Sequence, residues 1–113
     1  MRMWNVPTDC LCRKHLLGEH LESHKFVGAI NKKKNISGFI NSGLVETHKL
    51  HSRHEALSRE MKRRGYKHNS KLPKFNISTM RNSIHGFVNV SRSLMDLSMR
   101  CKECRKRIER KMK

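Results

Sequence analysis

Three histidines and two glutamates fall within ten residues of one another in HLLGEHLESH, from His15 to His24. Histidines four apart meet on one face of a helix and can share a zinc ion, so the spacing has to be tested first. The metalloprotease pattern needs a glutamate directly after the first of two such histidines. His20 and His24 have the interval, but Leu21 follows His20 and Glu22 comes one place late. The inverted pattern fails as well, because three residues rather than two separate His15 from Glu19. No metal is expected at this helix. His15, Glu19 and Glu22 stand at i, i+4 and i+7 and share a narrow helical sector, while Leu16, Leu17 and Leu21 point elsewhere and can meet a core. Two readings follow. The carboxylates face a basic groove and do chemistry on a nucleic acid, or they sit on a solvated face and offset neighbouring Lys and Arg.

The second group that could do chemistry is the cysteines, Cys10, Cys12, Cys101 and Cys104. A four-thiolate zinc site is one way to use them, but one CxC and one CxxC lack the paired spacing of a zinc ribbon. Cys101 and Cys104 also continue the 3, 4, 3, 4 repeat of Leu94, Leu97 and Ile108, where a free cysteine packs as a small hydrophobe. They read as core, and no metal ligand is assigned.

Positioning these groups calls for an all-α fold, with three main helices and irregular connections in one domain spanning residues 1–113. Met3, Trp4 and Val6 make a short apolar segment ended by Pro7. Helix one then runs over about residues 9–30, capped by Thr8 or Asp9 through a side-chain oxygen on a first-turn N–H, and stops at NKKKNISG. Residues 35–43, with two glycines, read as a turn or one short helical turn. Helix two starts at a Thr47 cap, repeats Leu50, Leu57 and Met61, and ends at Gly65, which suits the left-handed position past a helix end. Residues 66–76 form a basic linker with Pro73, and a last helix is predicted over 91–112 with Ser91 as cap. Residues 77–90 can form a further short helix, weakened by Gly86, Val88 and Val90.

The 113 residues carry 26 Lys and Arg against 9 Asp and Glu, a net charge of +17, and the density is greatest from Arg100 onward. Such an excess points to a polyanion partner. Nucleic acid is favoured over a membrane, since no lipidation signal, long apolar run or Trp/Phe-rich amphipathic helix is present. No apolar leader follows Met1, so the cysteines are expected reduced and the protein cytoplasmic, associated with the nucleoid.

KHLLGEHLESHKFVGAI, Lys14 to Ile30, resembles the first helix of the phage pyrimidine-dimer DNA glycosylases of the endonuclease V type. His15, Leu16, Glu19, Gly28 and Ala29 coincide with that pattern, and Glu22 falls on its catalytic glutamate. The likeness continues more loosely through Arg53 to MKRRGY, Met61 to Tyr66. Two departures stand out. Leu21 replaces a basic residue that precedes the catalytic glutamate, and a basic helix replaces the family's aromatic and basic C-terminal segment. Lys25 keeps a positive charge where the family has an arginine.

The resemblance implies a base-excision enzyme with lyase activity, acting on damaged bases in double-stranded DNA as a monomer, without metal or organic cofactor. A basic binding protein for DNA or RNA that has lost catalysis is the alternative. The nucleophile would be the α-amine of Met1, which the large Arg2 should protect from removal. An α-amine titrates near about 7.7–8.0, so a useful fraction is unprotonated at neutral pH. It would attack the sugar C1′, while Glu22 manages charge and protons. Expelling a base from the stack costs a few kcal/mol, which phosphate contacts must offset. The residues expected to make DNA contacts are Arg2, His15, Lys25, Lys32, Lys33, Lys34 and Arg53.

Overall fold

A computed structural model describes residues 1–67, 70–76 and 86–112. Among these, all regular structure is helical. A 3-10 turn at Thr8–Cys10 leads into α1 (Arg13–Asn31) and then α2 (Ser37–Asn41), and a second 3-10 turn at Thr47–Lys49 opens α3 (Leu50–Arg63). The chain closes with α4 (Val90–Arg100) and α5 (Lys102–Met112). The all-α expectation holds. No helix of the described residues is long and apolar enough to cross a membrane.

Several boundaries move, each for a local reason. Helix one begins at Arg13 rather than near residue 9, because Thr8–Cys10 closes a 3-10 turn and Cys12, in extended backbone, is the N-cap. Neither Thr8 nor Asp9 caps it, and Thr47 likewise lies inside a 3-10 turn with Lys49 preceding α3. The last helix is two helices. Cys101, at φ −134 and ψ 111, breaks it, and Asn89 rather than Ser91 is the cap, accepting from the Arg92 N–H at 3.0 Å. Of the short helix suggested for 77–90, residues 77–85 lie outside the described residues and 86–89 are not helical. Gly65 ends α3 as anticipated, at φ +82, with the Tyr66 N–H reaching back to the Met61 carbonyl at 2.8 Å.

Helices α1 and α3 pack together, and each buries a stripe at helical spacing. On α1 the stripe is Leu16, Glu19, His20, Ser23, Phe26, Val27 and Ile30. On α3 it is Leu50, Arg53, His54, Leu57, Ser58, Glu60 and Met61. The α1 stripe is polar in its middle, at Glu19, His20 and Ser23, and the α3 stripe places Arg53 and His54 opposite it between Leu50 and Leu57. Leu16, Leu57 and Met61 join Trp4, Leu11, Leu97 and Ile108 in one apolar cluster. Phe26, Val27, Ile30 and Leu50 join Met3, Ile40, Val45 and Val88 in a second. Leu21, expected toward the core, lies outside the stripe and is 56% exposed.

Two devices hold the connections. A Cβ on Gly86, at φ +83, would meet the Val45 carbonyl oxygen at 2.3 Å, so only glycine lets the chain pass there. Buried Glu60 accepts from Arg63 and Arg64, and Arg64 donates on to the carbonyls of Leu11 at 2.7 Å and Thr8 at 3.2 Å. Hydrogen bonding from Arg63 holds the Glu60 carboxyl below its ordinary range against the opposing effect of burial, and Arg64 adds to it. A depressed carboxylate stabilises the fold above its unfolded pKa, and that contribution is lost as pH falls through the lower folded value. Glu60→Gln should therefore cost about 1–2 kcal/mol at neutral pH in urea unfolding, the Arg63 side being screened by solvent. The difference from the parent chain should begin to shrink as pH falls below the unfolded glutamate value of about 4.3 and vanish only below the lower folded value.

Candidate active site

The first six residues are threaded through the molecule rather than left loose. The Met3 N–H donates to the Leu44 carbonyl at 2.6 Å, and Asn5, in the left-handed region at φ 59, donates from Nδ2 to Glu46 at 2.9 Å. The Val6 carbonyl accepts from Arg53 Nη1 at 2.6 Å. Met3, Trp4 and Val6 are buried, so apolar packing and three polar ties fix the segment's path. Its end meets α1: the Arg2 backbone N–H donates to Glu22 Oε2 at 2.9 Å. The α-amino nitrogen of Met1 is one residue away, a reach of at most about 3.6 Å from that N–H. Met1 itself is exposed.

Glu19, one turn before Glu22, is buried and paired with Arg53. Arg53 Nε donates to Glu19 Oε2 at 2.5 Å and Nη2 to Oε1 at 3.0 Å, a two-point match of guanidinium and carboxylate. With Nη1 on Val6, every nitrogen of Arg53 is engaged inside the protein, at 8% residue exposure. Arg53 was expected to touch DNA; its burial makes it the support beneath the site. Beside this pair the rings of His20, His24 and His54 pack with centroids 4.7–5.1 Å apart.

The remaining expected residues separate into two groups. Lys25, Lys32, Lys33 and Lys34 are exposed, the last three on the turn that closes α1, where Lys33 takes φ 56 and the Lys34 N–H bonds the Ala29 carbonyl. Arg2 is held within the protein: its guanidinium lies 3.9 Å from the Trp4 ring centroid and pairs with Asp96 on α4 at 3.0 Å. No local pattern marks Asp96 as a partner, since it is 94 residues away in sequence. His15 turns from Glu22's neighbourhood toward the cysteines, with Nδ1 3.2 Å from Cys12 Sγ and 3.5 Å from Cys104 Sγ. Burial, then the Lys14 charge, lower its pKa below the ordinary histidine value, while Glu22 opposes them. The spacing Cys12-x-x-His15 beside Cys101-x-x-Cys104 was the sequence signal for this grouping, hidden by pairing Cys12 with Cys10 instead.

A carboxylate midway along α1 thus meets the first peptide group of the chain, one turn from a buried ion pair and one turn from exposed Lys25. The family model for pyrimidine dimer DNA glycosylases matches residues 1–74, which contain all of these groups except Asp96 and the C-terminal cysteines. The chain belongs to that family. The match reaches past Tyr66, where the resemblance of motifs ends. No curated protein and no solved structure matches the chain. Membership in this glycosylase family makes DNA the implied substrate.

Removing one partner of a buried ion pair leaves an uncompensated charge, which typically costs about 3–5 kcal/mol, whereas an apolar replacement of both is often neutral. Arg53→Met should therefore destabilise the protein strongly in urea unfolding. Glu19→Met/Arg53→Met should recover most of that loss, leaving only the loss of the Val6 contact.

Proposed function

We propose that this glycosylase excises damaged bases from double-stranded DNA and then cleaves the abasic strand, with the α-amine of Met1 as nucleophile and Glu22 as the acid–base carboxylate. The observation that carries this reading is the 2.9 Å contact between Glu22 Oε2 and the Arg2 N–H, which puts the carboxylate one residue from the amine. Attack of the amine nitrogen on C1′ breaks the glycosidic bond, and the base departs with the bonding electrons and takes up a proton. Opening of the sugar ring leaves an imine between C1′ and the nitrogen. Loss of a C2′ proton then expels the 3′ phosphate by elimination, and water releases the enzyme. Glu22 can stabilise positive charge at C1′ and move protons in both the ring-opening and the elimination steps. No cofactor enters this scheme.

Lys25, Lys32, Lys33 and Lys34 are the exposed cations available to phosphates, and Arg2 and Arg53 hold the machinery from within. The density of basic side chains on α5 adds a further surface for the backbone of a duplex. A monomer suffices, since the amine and carboxylate belong to one chain.

Glu22→Gln keeps size and hydrogen bonding while removing the charge. It should abolish base excision on damaged duplex and leave DNA affinity largely intact. Borohydride should trap the parent chain on abasic DNA, with the adduct in the N-terminal peptide. One residue added before Met1 moves the amine by up to about 3.6 Å, beyond near-attack geometry, and should suppress trapping. An adduct on an internal lysine, or full excision by Glu22→Gln, would overturn the assignment.

A further inference from the structure

The C-terminal helices meet the start of α1 at a cluster of sulfur and imidazole groups separate from the contact between Glu22 and Arg2. Ligand atoms of Cys12, His15, Cys101 and Cys104 all lie within 4.8 Å of one another. Cys12 and His15 come from the start of α1, and Cys101 and Cys104 from the junction of α4 and α5. We propose that these four side chains bind one Zn2+ as a structural Cys3His site that fastens α4 and α5 to the N-terminal segment. The proposal is independent of the excision chemistry.

The distances fit the ion. A tetrahedral zinc with Zn–S about 2.3 Å and Zn–N about 2.0–2.1 Å sets sulfurs roughly 3.8 Å apart and sulfur and nitrogen roughly 3.5 Å apart. Cys12 and Cys101 Sγ are 3.8 Å apart, and Cys104 Sγ and His15 Nδ1 are 3.5 Å apart. Cys12 Sγ to His15 Nδ1, at 3.2 Å, needs only a few tenths of an ångström of relaxation. Three thiolates and an imidazole are a donor set that selects zinc over harder cations.

Two backbone features support a thiolate site over plain core packing. The Cys12 N–H points at Cys104 Sγ at 3.2 Å and the Cys104 N–H at Cys101 Sγ at 3.4 Å, donors that favour sulfur carrying negative charge. The helix also breaks at Cys101, though MRCKE contains no proline or glycine to break it. The extended Cys101 backbone turns its sulfur to the other three groups. Burial pushes the Cys104 thiol up to about 12, and a bound cation reverses that preference. Cys10 stands outside the set, which separates this site from a four-thiolate arrangement.

The consequence reaches Arg2. Asp96 lies one turn before the break, so an ion that fixes the α4–α5 junction also fixes the carboxylate that pairs with Arg2.

The test uses the full chain, purified under reducing conditions from medium without added zinc, with metal measured by mass spectrometry. About one zinc per chain is expected in the parent chain and in Cys10→Ser. Cys101→Ser/Cys104→Ser should fall to background, while His15→Cys, which makes a four-thiolate set, should keep its zinc. Because the double variant can fail to fold, the parent chain is also stripped and titrated with Co2+. Thiolate-to-cobalt charge-transfer absorption and tetrahedral ligand-field bands should appear at one equivalent and fade when Zn2+ displaces the cobalt. The proposal is overturned by metal at background in the parent chain with four reactive thiols, by a disulfide among these cysteines in the reduced preparation, or by cobalt bound without thiolate absorption. Zinc retained by the double serine variant also overturns it, by placing the metal elsewhere, such as among His20, His24 and His54.

Discussion

The buried pair of Glu19 and Arg53 is the constraint on which the rest depends. It joins α1 to α3 in the middle of their shared stripe, where apolar packing is interrupted, and Arg53 spends its remaining nitrogen on the Val6 carbonyl. One guanidinium therefore fixes three separate stretches of chain. A buried ion pair contributes little net stability compared with apolar replacement, but it tolerates few alternative arrangements. Here that selectivity places the N-terminal segment, and with it the first peptide group, against Glu22 one turn along α1 from Glu19.

The polar middle of the stripe divides the interior into two apolar clusters, each of which anchors a different part of the N-terminal segment. Met3 belongs to the cluster with Phe26 and Leu50, and Trp4 and Val6 to the cluster with Leu16 and Leu57. Glu46 adds a second buried carboxylate that accepts from Asn5 and from the Val88 N–H at 3.1 Å, tying the same segment to the stretch that enters α4. A chain of this length has little apolar surface to spare, so polar ties at these junctions carry specificity that packing alone would leave loose.

What the sequence disclosed follows the reach of its signals. Apolar recurrence at Leu50, Leu57 and Met61, and the glycine past the end, were enough to locate α3 because both are local. The motif HLLGEHLE led to the family through residue types and spacing, and the family match over residues 1–74 bears it out. Leu21 was misplaced because hydropathy favours leucine over Glu19 and His20, whereas the stripe is polar there to receive Arg53 and His54. The break at Cys101 was invisible: the 3, 4 repeat runs through it unaltered, and the partner of its sulfur is Cys12, 89 residues earlier. Asp96 beside Arg2 was hidden for the same reason. Non-local pairs leave no periodic trace.

The central claim is that the chain's own α-amine, held beside Glu22, is the nucleophile. Selective blocking of the α-amine near neutral pH, where lysines stay protonated, tests it most directly because every side chain remains native. The blocked protein should bind abasic duplex as tightly as the unmodified chain, yet lose both strand cleavage and borohydride trapping. Cleavage at the unmodified rate after complete blocking would contradict the claim.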